Sequence, residues 1–159
     1  MTYSWAPAGE RKRVPYENPR GRRVNVLAVY APYGPERELL MVARPRTLTA
    51  EDVIAFLLSL ARPGRPATVV LDNGSIHVSH QLKDALPWLA RKGIRWCYLP
   101  AYSPELNDIE RVFRRIKHLE MPERTYFTTE ELSAAVHKAF DKVAAGLNAA
   151  TGTYLLEAA

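Results

Sequence analysis

Apolar positions along this chain change their spacing several times, and each change marks an element boundary. Val24 to Tyr30 is β-branched and aromatic, which predicts a strand. Gly34-Pro35 predicts a turn and Arg37 to Arg44 a second strand, so the two are expected to pair as an antiparallel hairpin. Thr49 opens a helix. Thr49 and Asp52 approximate a capping box, and an acid is favoured at that end of the helix dipole. Val53, Ile54, Leu57 and Leu60 or Ala61 give the apolar face, and Pro63-Gly64 ends the helix.

Ala67 to Leu71 is a short, mostly apolar run that suits a central strand buried on both faces. Ser79 is the predicted cap of the next helix, with apolar positions Leu82, Ala85, Leu86 and Leu89. Pro87 falls inside that pattern and is expected to kink or shorten the helix, and Gly93 ends it. Ile94 to Leu99 reads as a strand. A third helix is predicted after Pro104, with Ile109, Val112, Phe113 and Ile116 at helical spacing. A last one starts at Thr128 or Thr129 and carries Leu132, Ala135, Val136, Ala139 and Phe140. The pattern shows no internal repeat and no dividing linker. It implies one domain over residues 1–159, with a basic loop region at 1–23, a core at 24–146 and a tail at 147–159. Strands alternating with helices imply an α/β sheet with helices on its faces.

Composition narrows the class. A chain of 159 residues with 47% apolar content suits one domain with a real core. The one cysteine, Cys97, lies in an apolar run and is expected to be a small buried hydrophobe, so neither a disulfide framework nor a zinc cluster is expected within one chain. No apolar run reaches membrane-spanning length and the first residues do not read as a signal peptide, so a soluble, cytoplasmic protein with no membrane partner is expected. The net charge of +5 favours an anionic partner. Arg11, Lys12, Arg13, Arg20, Arg22 and Arg23 crowd the first stretch, either as a solvated loop or as an arm contacting phosphates.

Candidate chemistry centres on Asp72, which ends the run Thr68-Val69-Val70-Leu71 and precedes Asn73-Gly74 and His77. Asn73-Gly74 also reads as a hairpin turn, the strongest short signal of that kind. If the strand is parallel and central, Asp72 lies at the carboxyl edge where open α/β sheets bind ligands. Glu110 taken alone reads as a surface glutamate paired with Arg114 one turn on. Helical spacing also sets Asn107, Glu110, Arg114 and Lys117 in a stripe beside the apolar one, where Glu110 can reach a cleft. Two such carboxylates can converge on a divalent cation, as phosphoryl-transfer nucleases require. His77 reads as a turn histidine or as a residue at the metal or substrate. Trp5, Trp88 and Trp96 read as packing residues.

The segments "LDNGSIH" at 71–77, "LPAYSPELNDIERVFRRIK" at 99–117, and "YSWAPAG" ahead of "RGRRVNVLAVY" resemble the catalytic domain of mariner-superfamily transposases, in their bacterial insertion-sequence branch. The resemblance covers nearly the whole chain, and its Ser-Pro-x-Leu-Asn-x-x-Glu segment at 103–110 is quite specific. It implies an RNase H-like α/β fold, a mixed sheet flanked by helices. It further implies a DDE-type carboxylate site using Mg²⁺ or Mn²⁺, and DNA as partner. Asp72 and Glu110 would be the catalytic, metal-holding residues, supported by Asn73, His77 and Asn107. DNA phosphates would meet Arg11, Lys12, Arg13, Arg22, Arg23, Arg114, Arg115 and Lys117.

Two departures stand out. Asp108 replaces a proline common in the family. The family's first catalytic aspartate ends a strand upstream of the Trp-x-Pro-x-Gly segment, which here is Trp5 to Gly9. None of Glu10, Glu17, Glu36, Glu38, Glu51 and Asp52 ends an apolar strand in the required place. The first central strand is therefore expected to be missing, or supplied by another chain in a homo-oligomer, for example by strand swapping. Impaired DNA cleavage and strand transfer is the first functional expectation. The alternative is a catalytically inactive remnant that binds DNA or dimerises with a full-length transposase and regulates it.

Overall fold

The computed structural model describes residues 22–33, 37–121 and 126–149. Its elements are β1 (Asn25–Ala31), β2 (Glu38–Arg44), α1 (Ala50–Ser59), β3 (Ala67–Leu71), α2 (His80–Arg91), β4 (Ile94–Tyr98), a single 3₁₀ turn (Pro104–Leu106), α3 (Ile109–Arg115), a π turn (Ile116–Glu120) and α4 (Thr129–Ala149). The predicted order of strands and helices holds within a residue or two at most ends. The Gly34-Pro35 turn, Trp5 and the basic residues before Arg22 lie outside the described residues.

β1 and β2 pair antiparallel, with Asn25 opposite Arg44 and Ala31 opposite Glu38. β3 and β4 pair parallel, with Ala67 opposite Ile94 and Leu71 opposite Tyr98. The two pairs form separate two-stranded sheets. The parallel pair disposes of the hairpin reading of Asn73-Gly74, because a long connection through α2 separates its strands.

Burial explains why these segments adopt these forms. Val53 and Leu57 of α1, Leu82, Leu86 and Leu89 of α2, Val69 and Leu71 of β3, and Ile94 of β4 make one core cluster. Val112 and Ile116, with Val136, Ala139, Phe140 and Val143 of α4, pack with Leu39 of β2 in a second. Alternate residues of β1 join the two: Leu27 and Val29 pack on the first cluster, Val26, Ala28 and Tyr30 on the second. β1 thus lies between two helical layers, as period-2 alternation dictates for a strand covered on both sides.

The structure corrects three expectations, and one arm of a fourth. β3 is not buried on both faces: Val69 and Leu71 are buried, while Thr68 and Val70 are exposed, Val70 at 55%. Cys97 is exposed too, because alternation along β4 turns Ile94, Trp96 and Tyr98 toward the core side and Arg95 and Cys97 away. Pro87 does not shorten α2, which runs on to Arg91; its position is exposed, so water can serve the carbonyl that loses its donor. The helix predicted directly after Pro104 is interrupted: a 3₁₀ turn ends at Asn107 before α3 begins.

Local signals otherwise act as their chemistry requires. Asp52 reaches back to accept the Thr49 N–H at 2.8 Å and also pairs with Arg46. Ser79 Oγ accepts the Leu82 N–H and caps α2, and Gly93 ends the helix at a φ of +87°.

Candidate active site at the carboxyl edge of β3

Asp72 follows the last residue of β3, at the carboxyl end of a parallel pair. The β ladder extends past it through Leu99 N–H to Leu71 O at 2.8 Å. Asn73 then ties the loop down by donating its side-chain amide to Leu99 O at 2.8 Å. The chain turns at Gly74, whose carbonyl accepts from His77 N–H at 2.8 Å and from Val78 N–H at 3.2 Å. That turn brings His77 back to Asp72. Nδ1 of His77 lies 2.6 Å from Oδ1 of Asp72, and the Gly74 N–H donates to the same oxygen at 2.9 Å. A Cβ on Gly74 would sit 3.0 Å from Oδ1, so the close approach selects glycine.

These contacts set the ionisation of Asp72. Desolvation pushes its carboxyl up. The Gly74 N–H and the His77 ring together outweigh that push and hold the group below the ordinary aspartate value. His77 is the more enclosed partner, with 17% of its side chain exposed against 45% for Asp72.

Tyr98 completes the frame, its hydroxyl donating to the His77 carbonyl at 2.9 Å. Sequence reasoning passed over Tyr98. The available signal was its parity in β4, which turns it to the same side as Trp96. Tyr102 was passed over as well; it is fully exposed at a φ of +58°, a conformation uncommon for a bulky residue, in the loop leading to Ser103-Pro104.

A small cavity of about 70 Å³ has Asp72, His77 and Asn107 in its lining. Three of the predicted site residues therefore meet. Asn73 anchors the loop from outside that lining. Glu110 stands in the first turn of α3, its N–H bonded to Asn107 O at 3.0 Å. Its side chain is exposed, outside the cavity's lining, and it makes no ion pair with Arg114 among the described residues. Arg22 and Arg23 are exposed ahead of β1, and Arg114, Arg115 and Lys117 are exposed on and after α3. Arg115 reaches Glu120 at 3.3 Å, and Lys142 reaches the same carboxylate at 2.6 Å, which gives Arg115 a structural task.

The family model of the DDE superfamily endonuclease matches residues 1–133, a span that includes β1 through α3 and both candidate carboxylates. The chain belongs to that family. No curated protein matches it. The mixed α/β architecture, with small sheets and four α-helices among the described residues, agrees with a DDE nuclease fold. No helix among those residues is long and apolar enough to cross a membrane.

DDE endonucleases generally use divalent metals, so the donor set bears on this chain. Carboxylate oxygens suit a hard divalent cation in kind. Oδ1 of Asp72 is engaged by Gly74 and His77, while Oδ2 accepts no hydrogen bond from the described residues. The set falls short in number: no group of three or more metal-ligating side chains assembles among the described residues.

Proposed function

We propose that this DDE endonuclease chain is the catalytic part of a transposase with an RNase H-like fold, of the mariner insertion-sequence type, acting on DNA ends with Mg²⁺ or Mn²⁺. The observation that carries the reading is the anchored Asp72 at the carboxyl end of a parallel strand, inside the span that matches the family. Asp72 would be one of the residues holding the cation, its carboxylate fixed by His77 and Gly74. Glu110 would supply a second carboxylate from α3. When bound, a divalent cation would supply Lewis-acid activation of the phosphodiester and of the attacking water or 3′-hydroxyl.

The remaining work belongs to the chain. Burial of His77 and the Tyr98 hydroxyl on its carbonyl limit how far the Asp72 carboxylate can turn. Arg22, Arg23, Arg114 and Lys117 are exposed cations suited to DNA phosphates, as Arg11, Lys12 and Arg13 are by sequence.

A second reading is favoured by one observation, the absence of a three-ligand cluster among the described residues. It holds the chain to be an inactive remnant that binds DNA or dimerises with a complete transposase and regulates it. Nicking of supercoiled plasmid with Mg²⁺ or Mn²⁺ separates the two. Activity lost in both Asp72→Ala and Glu110→Ala supports catalysis. Salt-dependent DNA binding without nicking, or nicking that survives both substitutions, supports the remnant.

A further inference from the structure

We infer that the amino edge of β3 and β4 is a second nucleic-acid contact, a cationic face that holds the sugar-phosphate backbone of duplex DNA. It is separate from the candidate active site. Asp72 follows the carboxyl end of β3, whereas the loops that end α1 and α2 enter the opposite edge. At about 3.3 Å per residue, β3 sets the two edges roughly 15–20 Å apart.

Two turns build the face. Arg62-Pro63-Gly64-Arg65 closes through Arg65 N–H to Arg62 O at 3.1 Å, with Gly64 at a φ of +72°. Proline second and glycine third at positive φ is the type II arrangement, so Arg62 and Arg65 leave the two ends of a stiff turn. α2 ends in Arg91 with Lys92 as its cap, and Gly93 turns the chain into β4. Ala67 N–H donates to Gly93 O at 2.9 Å and ties the two turns together. An open groove of about 520 Å³ lies between them, its lining including Arg62, Arg65, Arg91 and Lys92. Arg95 follows on the exposed side of β4.

Charge makes this face more than a pair of solvated turns. All five cations are exposed. Residues 53–71 and 85–104, which form both turns and both strands, contain no aspartate or glutamate. Helix carboxyl ends are partly negative and by themselves repel anions, so some basic residues are expected there. The number present exceeds that need. The two helix ends offset about one unit of charge and Glu38, paired with Arg62, offsets another, which leaves about three. Arg91, Lys92 and Arg95 make no ion pair among the described residues.

The chain belongs to an endonuclease family, so nucleic acid is the polyanion it meets. No aromatic ring lines the groove, which gives unstacked bases no platform. Arginine and lysine on fixed turns suit phosphates instead, bound without regard to sequence.

Salt titration of binding tests this, with the whole chain, a short mixed-sequence duplex and a chelator that removes divalent cations. Each phosphate contact contributes about 0.9 to the slope of log K against log salt. Arg91→Gln, Lys92→Gln and Arg95→Gln together should flatten that slope by about 2–3. The same loss of charge elsewhere, through Arg44→Gln, Lys83→Gln and Lys138→Gln, should flatten it by less than about 1. Arg91→Lys with Arg95→Lys keeps the charge and should keep the slope. In the unaltered chain, the NMR signals of the Gly64, Arg65, Lys92 and Gly93 amides should shift as duplex is added. Equal flattening by the two triple variants, loss of the slope in the lysine variant, or unmoved amides would overturn the inference. Tighter binding of polyglutamate than of DNA at equal charge would overturn it too, and make the partner an acidic protein. Nicking plays no part in these readouts. A chain that never nicks leaves the face standing if the slopes behave as stated, and nicking that persists beside unchanged slopes removes the face alone.

Discussion

One oxygen of Asp72 carries two contacts: Oδ1 accepts the Gly74 N–H at 2.9 Å and lies 2.6 Å from Nδ1 of His77. The carboxylate is thereby fixed from the residues that follow it in sequence, before any distant element takes part. Burial, which disfavours its charge, is outweighed by these two partners.

The first prediction follows from that balance. A carboxyl whose folded pKa lies below its unfolded value, about 3.9 for aspartate, stabilises the fold above the unfolded value and loses that contribution as pH falls through the folded one. Replacing His77 with alanine removes one of the two lowering partners. The Asp72 pKa should rise toward its ordinary value, and the midpoint of acid unfolding should move to higher pH. Carboxyl-carbon NMR with a circular-dichroism acid titration reads both. An unchanged Asp72 titration in His77→Ala would refute the coupling. A matching shift of the midpoint when His77→Ala is added to Asp72→Asn would place the effect elsewhere.

Gly74 and Gly64 should separate site effects from backbone effects. At Gly74 a new Cβ meets Asp72 Oδ1 at 3.0 Å, so the carboxylate has to shift by a few tenths of an ångström to admit it. Gly74→Ala should cost under about 1 kcal/mol, like most substitutions clear of a core, yet displace Asp72 from His77 and raise its pKa. Gly64 has open space around its Cβ position but a φ of +72°. Gly64→Ala should cost about 1–2 kcal/mol through left-handed strain and leave Asp72 untouched. Denaturant melts paired with the NMR titration decide, and the reverse pattern would mean that the loop after β3 rearranges freely.

What the sequence made legible follows the range of the forces involved. Period-2 and helical patterns are local, so the hairpin, α1, α2, β3 and β4 emerge near their predicted bounds. Caps are local too, and Thr49, Ser79 and Gly93 behave as their side chains and backbone require. The loop after β3 was legible only in part. His77 was read as a turn histidine with a local hydrogen bond, and every partner of Asp72 Oδ1 does lie within five residues, while Asn73-Gly74 carried a hairpin signal the structure does not follow. Exposure of Val70 and Cys97 was not readable, because it depends on what stands beside β3 and over its outer face. A run such as Ala67 to Leu71 carries no mark of that. The exposed setting of Glu110 belongs to the same class, since the break at Asn107 sets the phase of α3.

Strand parity predicts very different magnitudes for neighbouring residues. Leu71 is buried with the α1 and α2 core, so Leu71→Ala should cost about 2–5 kcal/mol. Val70 faces out, so Val70→Ala should stay within about 0.5 kcal/mol in the isolated chain. Urea melts at one protein concentration measure both. A large loss at Val70 would mean that its face is already covered in solution.

Pro87 offers the last test, because α2 contains it without ending. Residue 87 is exposed, three positions beyond Asp84 and on the opposite side from Leu82, Leu86 and Leu89. A proline there removes one helical hydrogen bond and crowds the carbonyl of Lys83, which costs about 3 kcal/mol or more in a helix interior. Water reaching the exposed carbonyl recovers part of that loss. Proline also restricts the unfolded chain, and its removal gives back about 0.4–1 kcal/mol of that restriction. Pro87→Ala should therefore stabilise the chain by about 1–2 kcal/mol on these two terms. The melting temperature should rise by about 2–4 °C per kcal/mol for a domain of this size, read by calorimetry. A fall instead would show that the Pro87 ring itself packs against a neighbour, so that the helix is held by the residue expected to kink or shorten it.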